Sequence, residues 1–385
     1  MHISKQLYQE KYIIPSSYNS MSLSEIIKQG PFLYFTAPGL PIYLPLFSRL
    51  LNTVENQCIN LSTQVGFDLI DIPNIFPNSA LDYGEKIDYG FLDQFIFLSG
   101  RMYNYHLVST SEPFFIEILQ QGLQSYRQLP IRYFYCTKFF RQLRDVYGLL
   151  KSREFKMIGG ISLHAEGDYE KEKSKFIAYM KKIEEAFSLK TYSYLDNYKG
   201  FYEYFYLHEE GGENFRNEKA ISLAMFYQYG KNLNIKASFR NQSNTNSKPY
   251  IITFGLGLQR LLFILLDSTR DKKGFNLPKK FRPFDLSVIC MNERSQGKAK
   301  IIYSYLHEKY SNQVILDDRK CEVENKTKLS DFIGIPIKIL IGQDRIILEY
   351  RNYPNNKKIL SFDSYTQLYE ELDNEIVQYS NVCQG

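Results

Sequence analysis

The sequence predicts an α+β protein: a mixed, mainly antiparallel sheet with helices around it, joined to a C-terminal α/β domain. Three observations lead there. Strand-like runs recur between residues 133 and 256 without repeated strand–helix–strand units, which argues against an all-parallel sheet. After a charged, turn-rich stretch, "STRDKKGFNLPKKFRP" (268–283), strand and helix alternate through residues 284–385, the pattern of a separate small domain. With 385 residues, 44% of them apolar, the chain can bury more than one core. The divisions that follow are an N-terminal extension (1–30), a sheet domain (31–267), a linker (268–283) and an α/β domain (284–385).

Taken in order, "PGLPIYLPL" is turn-rich, and from Phe47 the apolar positions Phe47, Leu50, Leu51, Val54, Cys58, Leu61 and Val65 fall at helical spacing up to Gly66. "FDLIDIP" reads as a strand ended by Pro73. "STSEP" opens a second helix, with Thr110 or Ser111 as cap, Pro113 in the first turn and a stripe of Phe115, Ile116, Leu119 and Leu123. Two β-like runs, 133–139 and 153–157, flank Tyr147-Gly148 and predict a hairpin. Residues 169–187 predict a charged helix with Phe176, Ile177, Met180, Ile183 and Phe187 on one face. "FYEYFYL", "AISLAMFYQY" and "NIKASF" are strand-like, "RNQSNTNSKP" is a polar turn, and "YIITFGLGLQRLLFILLD" is strand, glycine turn and helix. In the last domain, strands are expected over 284–290, 314–316 and 336–341, with helices over 296–309 and between the last two strands.

Composition narrows the function classes. A net charge of +5 permits an anionic partner without demanding one. The five cysteines are scattered with no CxxC pair, and the five histidines lack metal-ligand spacing, so neither a disulfide framework nor a zinc site is expected. The start lacks the charge pattern of a signal peptide, and no run approaches the ~18 apolar residues of a membrane span. A soluble protein without membrane contact is expected, in the cytoplasm or an organellar matrix. The hairpin gathers Lys138, Arg141, Arg144, Lys151, Arg153 and Lys156 against only Asp145 and Glu154, which points to nucleotide phosphates or RNA. "TFGLGLQR" adds two glycines before a helix and Arg260 one turn into it, a weak signal alone.

In this order, the elements resemble the class II aminoacyl-tRNA synthetases, and specifically their prolyl and threonyl members. "LPLFSRLLNTVENQCINLSTQVGFDLIDIP" is similar to their first motif, an interface helix followed by a strand ending in proline. "STSEPFFIEILQQGLQSYRQLPIRYFYCTKF" matches the prolyl pattern, "YGLLKSREFKM" the second half of motif 2 and "FGLGLQRLLFIL" motif 3. "VILDDRKCEVENKTKLSDFIGIPIKILIG" resembles the anticodon-binding domain, and the similarity spans residues 30–350.

The resemblance implies a class II catalytic domain that activates a small amino acid, proline-like or threonine-like, with ATP and Mg2+ and transfers it to tRNA or another acceptor. It implies a homodimer through the stripe from Phe47 to Val65. Thr110 and Glu112 would hold the amino group, Met225 stands at a substrate-pocket position, Phe155 would stack adenine and Arg260 would meet the γ-phosphate. Arg141, Gln142, Arg144, Lys151 and Arg153 are the remaining candidates for ATP, and Arg319, Lys320, Lys326 and Lys328 for nucleic acid. Two departures matter. The family reads Thr-Lys-Phe-Arg-Asp-Glu at the hairpin; a gapless match puts Phe140 at the phosphate-clamping arginine and Gln142 at the glutamate. In that register Phe140 faces the nucleotide and Arg141 the opposite side; deleting one residue gives Arg141 the role instead. Where many members read Glu-Val-Gly-His, this chain has Ser222, Leu223, Ala224 and Met225, so the magnesium ligands are not identifiable. These departures motivate the alternative function, a non-catalytic paralogue acting as a nucleic-acid-binding, regulatory or polymerase-accessory subunit.

Overall fold

Side-chain alternation along one hairpin sets the architecture. In the computed structural model, described for residues 1–5, 12, 14–15, 17–81, 92–111, 114–115, 117, 122–196, 201–208, 220–229 and 238–382, the chain divides into two compact units. One comprises Tyr34–Tyr43 and Leu51–Ser268; the other comprises Met1–Leu33, Leu44–Leu50 and Thr269–Gly385.

The first unit holds nearly all of a hairpin of β1 (Leu33–Ala37) and β2 (Leu40–Tyr43), and the part of helix α2 (Pro45–Gln64) from Leu51 onward. Its main sheet has seven strands in the order β3 (Asp68–Leu69), β6 (Ile131–Phe140), β7 (Glu154–His164), β13 (Tyr250–Gly257), β10 (Ala220–Tyr229), β9 (Phe201–Leu207) and β8 (Tyr192–Asp196). Only β3 and β6 pair in parallel; all other neighbours are antiparallel. The pairs β4 (Ile75–Pro77) with β5 (Tyr105–Leu107) and β11 (Phe239–Arg240) with β12 (Asn246–Ser247) complete it. The expected strand "FDLIDIP" shrinks to Asp68–Leu69. Most of the helix expected after "STSEP" lies outside the described residues.

β6 and β7 pair from Ile131↔Leu163 to Phe140↔Glu154 without a slip. Residues of one parity face the helices: Gly160 looks onto Phe176 of α3 (Tyr169–Phe187), and Tyr179 meets Phe254 edge-on at 5.2 Å. On the same side Lys156 Nζ pairs with Glu55 of α2 at 2.5 Å. Residues of the other parity, among them Tyr135, Thr137, Phe139, Phe155, Met157 and Gly159, face away from α3. The α3 stripe is Phe176, Tyr179, Met180, Ile183 and Phe187. Ile177, expected in it, is 40% exposed, because one residue past Phe176 lies ~100° round the helix. The α2 stripe from Phe47 to Leu61 is buried within the chain itself.

In the second unit, β16 (Leu286–Cys290) lies between the parallel strands β17 (Val314–Asp317) and β18 (Ile337–Ile341); β19 (Ile346–Tyr350) and β20 (Lys358–Leu360) follow antiparallel. Helices α5 (Gln296–Tyr310), α6 (Val323–Phe332) and α7 (Tyr365–Val382) accompany this sheet, and α1 (Leu23–Gln29) belongs to the same unit. Residues 1–30 are no separate extension. Leu316 N donates to Met1 O at 2.9 Å, His2 bridges Leu316 in parallel, and Ser4 N donates to Asp318 Oδ1 at 3.0 Å. Nor is 268–283 a loose linker. It forms the pair β14 (Arg270–Asp271) and β15 (Gly274–Phe275), buries Phe275, Leu277 and Phe281, and receives the buried Arg351 fork on Asp271 at 2.7 and 2.8 Å.

One buried pair underlies the main sheet. Arg132 on β6 donates Nε and an Nη2 hydrogen to Glu172 of α3, both at 2.6 Å, and Ser162 Oγ donates to the same carboxylate at 2.9 Å. Burial works to raise the Glu172 pKa, but the Arg132 fork and Ser162 outweigh it and hold the carboxyl below its ordinary value. Glu172→Ala strands Arg132 and should cost roughly 3–5 kcal/mol in urea unfolding at neutral pH. Because the folded pKa is the lower one, this contribution is full above the unfolded carboxylate pKa of ~4.3 and fades as pH falls through the folded value. The gap between wild type and variant should therefore narrow in acid; a gap independent of pH would contradict the pairing.

Candidate active site

The face of the sheet turned away from α3 opens into a cleft of about 550 Å³. Phe155 and Met157 of β7 line it with Gly255 and Gly257 of β13, so part of its floor is bare backbone. The loop after β6 supplies Arg141, Gln142, Arg144 and Lys151, β10 supplies Ser222 to Met225, and helix α4 (Leu258–Ser268) supplies Gln259 and Arg260. Asp93 and Gln94 close the rim.

Arg260 links two walls: Nε donates to Leu150 O at 3.0 Å and Nη1 to Ser222 O at 2.7 Å. Burial, with Arg141 adding to it, pushes its pKa down to about 10, which still leaves it charged at neutral pH. The Ser222 hydroxyl donates to Glu203 Oε1 of β9 at 2.5 Å, and Glu203 partly offsets the depression of Arg260. Gln259 accepts from Lys156 N at 2.9 Å and donates to the Tyr43 hydroxyl at 3.1 Å, fixing the start of α4 against β7 and β2.

The structure corrects the gapless register. Arg141 lines the cleft, donates Nε to Ser109 O at 3.1 Å, and places its guanidinium over the Phe155 ring at 5.4 Å. Phe140 is not among the lining residues; its N–H donates to Val108 O at 2.8 Å and its ring packs against the core around Phe139. The reason is parity: Phe139 is the partner of Phe155, so residue 141 shares their side.

The remaining candidates divide. Gln142, Arg144, Lys151 and Met225 line the cleft, Gln142 and Arg144 being exposed. Arg153 does not. Its guanidinium donates to Leu143 O at 3.2 and 3.1 Å and to Pro38 O at 3.1 Å, so it braces the loop after β6. Thr110 is buried beside Ser109 but outside the lining, and Glu112 lies outside the described residues. In the other unit, Arg319 is buried with its fork on Asp317 at 2.9 and 2.7 Å, and Lys326 is buried with Nζ donating to Cys290 O at 2.6 Å. Neither can reach a nucleic acid, because desolvated cations need these internal partners. Lys320 and Lys328 are exposed and pair with Glu293 and Glu324. Sequence reading missed Glu203 and Gln259; only strand pairing, which sets Glu203 against Met225, and the packing of α4 reveal them.

A protein-held Mg2+ is implied by the family resemblance. Such an ion takes oxygen ligands that include one or two carboxylates. Among the described residues the lining offers Asp93 and Asp145, both exposed, and Glu203, the cross-strand partner of Met225, lies on the same face of the sheet. Among the described residues no group of three His, Cys, Asp or Glu could hold a metal ion.

Residues 97–269 match the tRNA synthetase class II core domain (G, H, P, S and T). The proline–tRNA ligase of Anaplasma phagocytophilum is 24% identical over 379 residues, covering 82% of this chain and 87% of that protein. The Pelagibacter ubique proline–tRNA ligase is 21% identical, covering 96% and 99%. Giardia lamblia prolyl-tRNA synthetase in complex with prolyl-adenylate shares the fold with a TM-score of 0.71 at 20% identity, over 88% of this chain and 73% of that one. The Cryptosporidium parvum enzyme complexed with L-proline and AMP gives 0.72 at 16% identity, over 99% and 79%.

Two substitutions test the register. With ATP as the probe of the cleft, Arg141→Ala should weaken binding by about 1.5–3 kcal/mol, the scale of one hydrogen bond to a charged group, while Phe140→Ala leaves it nearly unchanged. Calorimetric titration of both variants decides; the reverse ranking would restore the gapless register.

Proposed function

We propose that this chain, built on a class II tRNA synthetase core with the fold of prolyl-tRNA synthetases, activates proline or a close analogue with ATP and transfers it to tRNA. The observation that carries this reading is the convergence of Arg141, Arg260 and Phe155 in one cleft floored by glycine backbone. Phe155 offers a stacking surface for adenine, and the two guanidiniums offer forked donors for phosphate oxygens. The amino-acid carboxylate attacks the α-phosphorus in line; a new O–P bond forms as the bond to pyrophosphate breaks. The acceptor hydroxyl then attacks the acyl carbon, and AMP leaves. Catalysis is positioning plus electrostatic stabilisation by preorganised cations. Met225 borders the amino-acid end, and Glu203 acts at one remove by holding Ser222. The prolyl-adenylate, L-proline and AMP complexes of the fold relatives support this assignment.

Amino-acid-dependent exchange of pyrophosphate into ATP tests the reading: proline should support exchange, and Arg260→Ala should abolish it. Exchange with none of the twenty amino acids would leave the non-catalytic paralogue in its place. For tRNA, we assign Lys320 and Lys328 to phosphate binding. Replacing both with Ala should flatten the plot of log affinity against log salt by roughly one for each phosphate no longer neutralised, measured with the full chain. An unchanged slope would place the nucleic acid elsewhere.

A further inference from the structure

We propose that Glu203, beyond holding Ser222, is a specificity-determining residue of the cleft: its carboxylate receives the ammonium of the amino-acid substrate. The inference rests on the activation reading above and gives the amino-acid end of the cleft an anionic partner.

Strand register places Glu203. It is the cross-strand partner of Met225, and Met225 is the partner of Gly255. Partners share a face of the sheet. Met225 and Gly255 both line the cleft, so Glu203 stands on the cleft face, one strand beyond Met225. The Ser222 hydroxyl donates to its Oε1 at 2.5 Å; among the described residues no donor is bonded to Oε2. The charges of the cleft are laid out to match. Arg141, Arg144 and Lys151 come from the loop after β6, and Arg260 stands next, bonded to Ser222 O at 2.7 Å. Glu203, on β9, follows across β13 and β10 from that loop. An activated amino acid has the same polarity, phosphate towards one end and ammonium at the other. Glu203 is half-buried, so its charge is screened less than that of a rim carboxylate. Its surroundings suit a small apolar ring bearing a cation. Phe201 lies two residues earlier on the same face, its ring 5.4 Å from that of Tyr227 on β10. With Met225 these rings put apolar and aromatic surface beside the carboxylate, and a cation over a ring face gains from its quadrupole. A secondary ammonium such as that of proline has two N–H donors, and a charge-assisted bond to Oε2 uses one of them. The family resemblance assigns the ammonium to Thr110 and Glu112. Glu203 is a further partner, whatever the part played by Glu112, which lies outside the described residues.

The test is pyrophosphate exchange by the full chain, with proline as substrate and its oxygen analogue, in which an ether oxygen replaces the ring nitrogen, as competitor. Glu203→Gln keeps an acceptor for Ser222 and removes the charge. It should raise KM for proline at least about tenfold and leave KM for ATP within about twofold. It should also narrow the wild-type preference for proline over the ether by a similar factor, which a merely structural role would not do. An unchanged KM for proline, or a rise in KM for ATP and in the magnesium requirement instead, would overturn the inference while leaving the activation reading intact. Wild type alone also decides, whether or not the variant folds: an ether that competes as well as proline binds would mean that no carboxylate reads the ammonium. Absence of exchange with every amino acid would overturn the activation reading and this inference together.

Discussion

Tyr135 lies across the backbone at Gly159, so closely that a Cβ there would stand 2.2–2.4 Å from its ring. The two are direct partners in the β6–β7 ladder, and this packing can form only because residue 159 has no side chain. Gly159 in turn pairs with Gly255 of β13. The middle of the sheet is therefore thin on one side and crowded on the other. On the crowded side Phe176, Phe226 and Phe254 pack between strands and α3. On the thin side Gly255 and Gly257 leave room for a ligand to approach main chain. A single parity choice along β7 decides which side becomes core and which becomes cleft.

That dependence explains what could be read from the sequence. The helices announced themselves by spacing: residues 169–187 were expected as a helix and form one, and the strand–glycine–helix passage through Arg260 appears as β13 and α4. The C-terminal alternation of strand and helix also stands, and it continues through β19, β20 and α7, which were not among the expected elements. The register of the hairpin could not be read in the same way. Whether Phe140 or Arg141 enters the cleft depends on which residue Phe155 is paired with, a relation across strands that linear motif matching does not see. Matching by motif alone favoured the wrong neighbour.

Charge was the least legible property. Arg132, Arg319, Lys326, Lys338 and Arg351 look like ordinary surface cations in the sequence, yet each is committed to an internal acceptor. An interior guanidinium with two or three fixed acceptors behaves as a structural bolt, and removing it leaves a desolvated partner. Arg153 shows the same economy at the rim, where three bonds to main-chain carbonyls hold the loop that presents Arg141.

The pairing of residues 1–4 with β17 has a consequence of a different kind. β17 is the outermost strand of its five-stranded sheet, and an uncovered outer strand is a template onto which another chain can add. Met1 and His2 occupy part of that template, and Ser4 ties the segment down on Asp318. Without these residues the main-chain groups of Leu316 and its neighbours on that edge lose these partners. The first few residues thus cover part of an edge that would otherwise offer its main-chain groups to another strand.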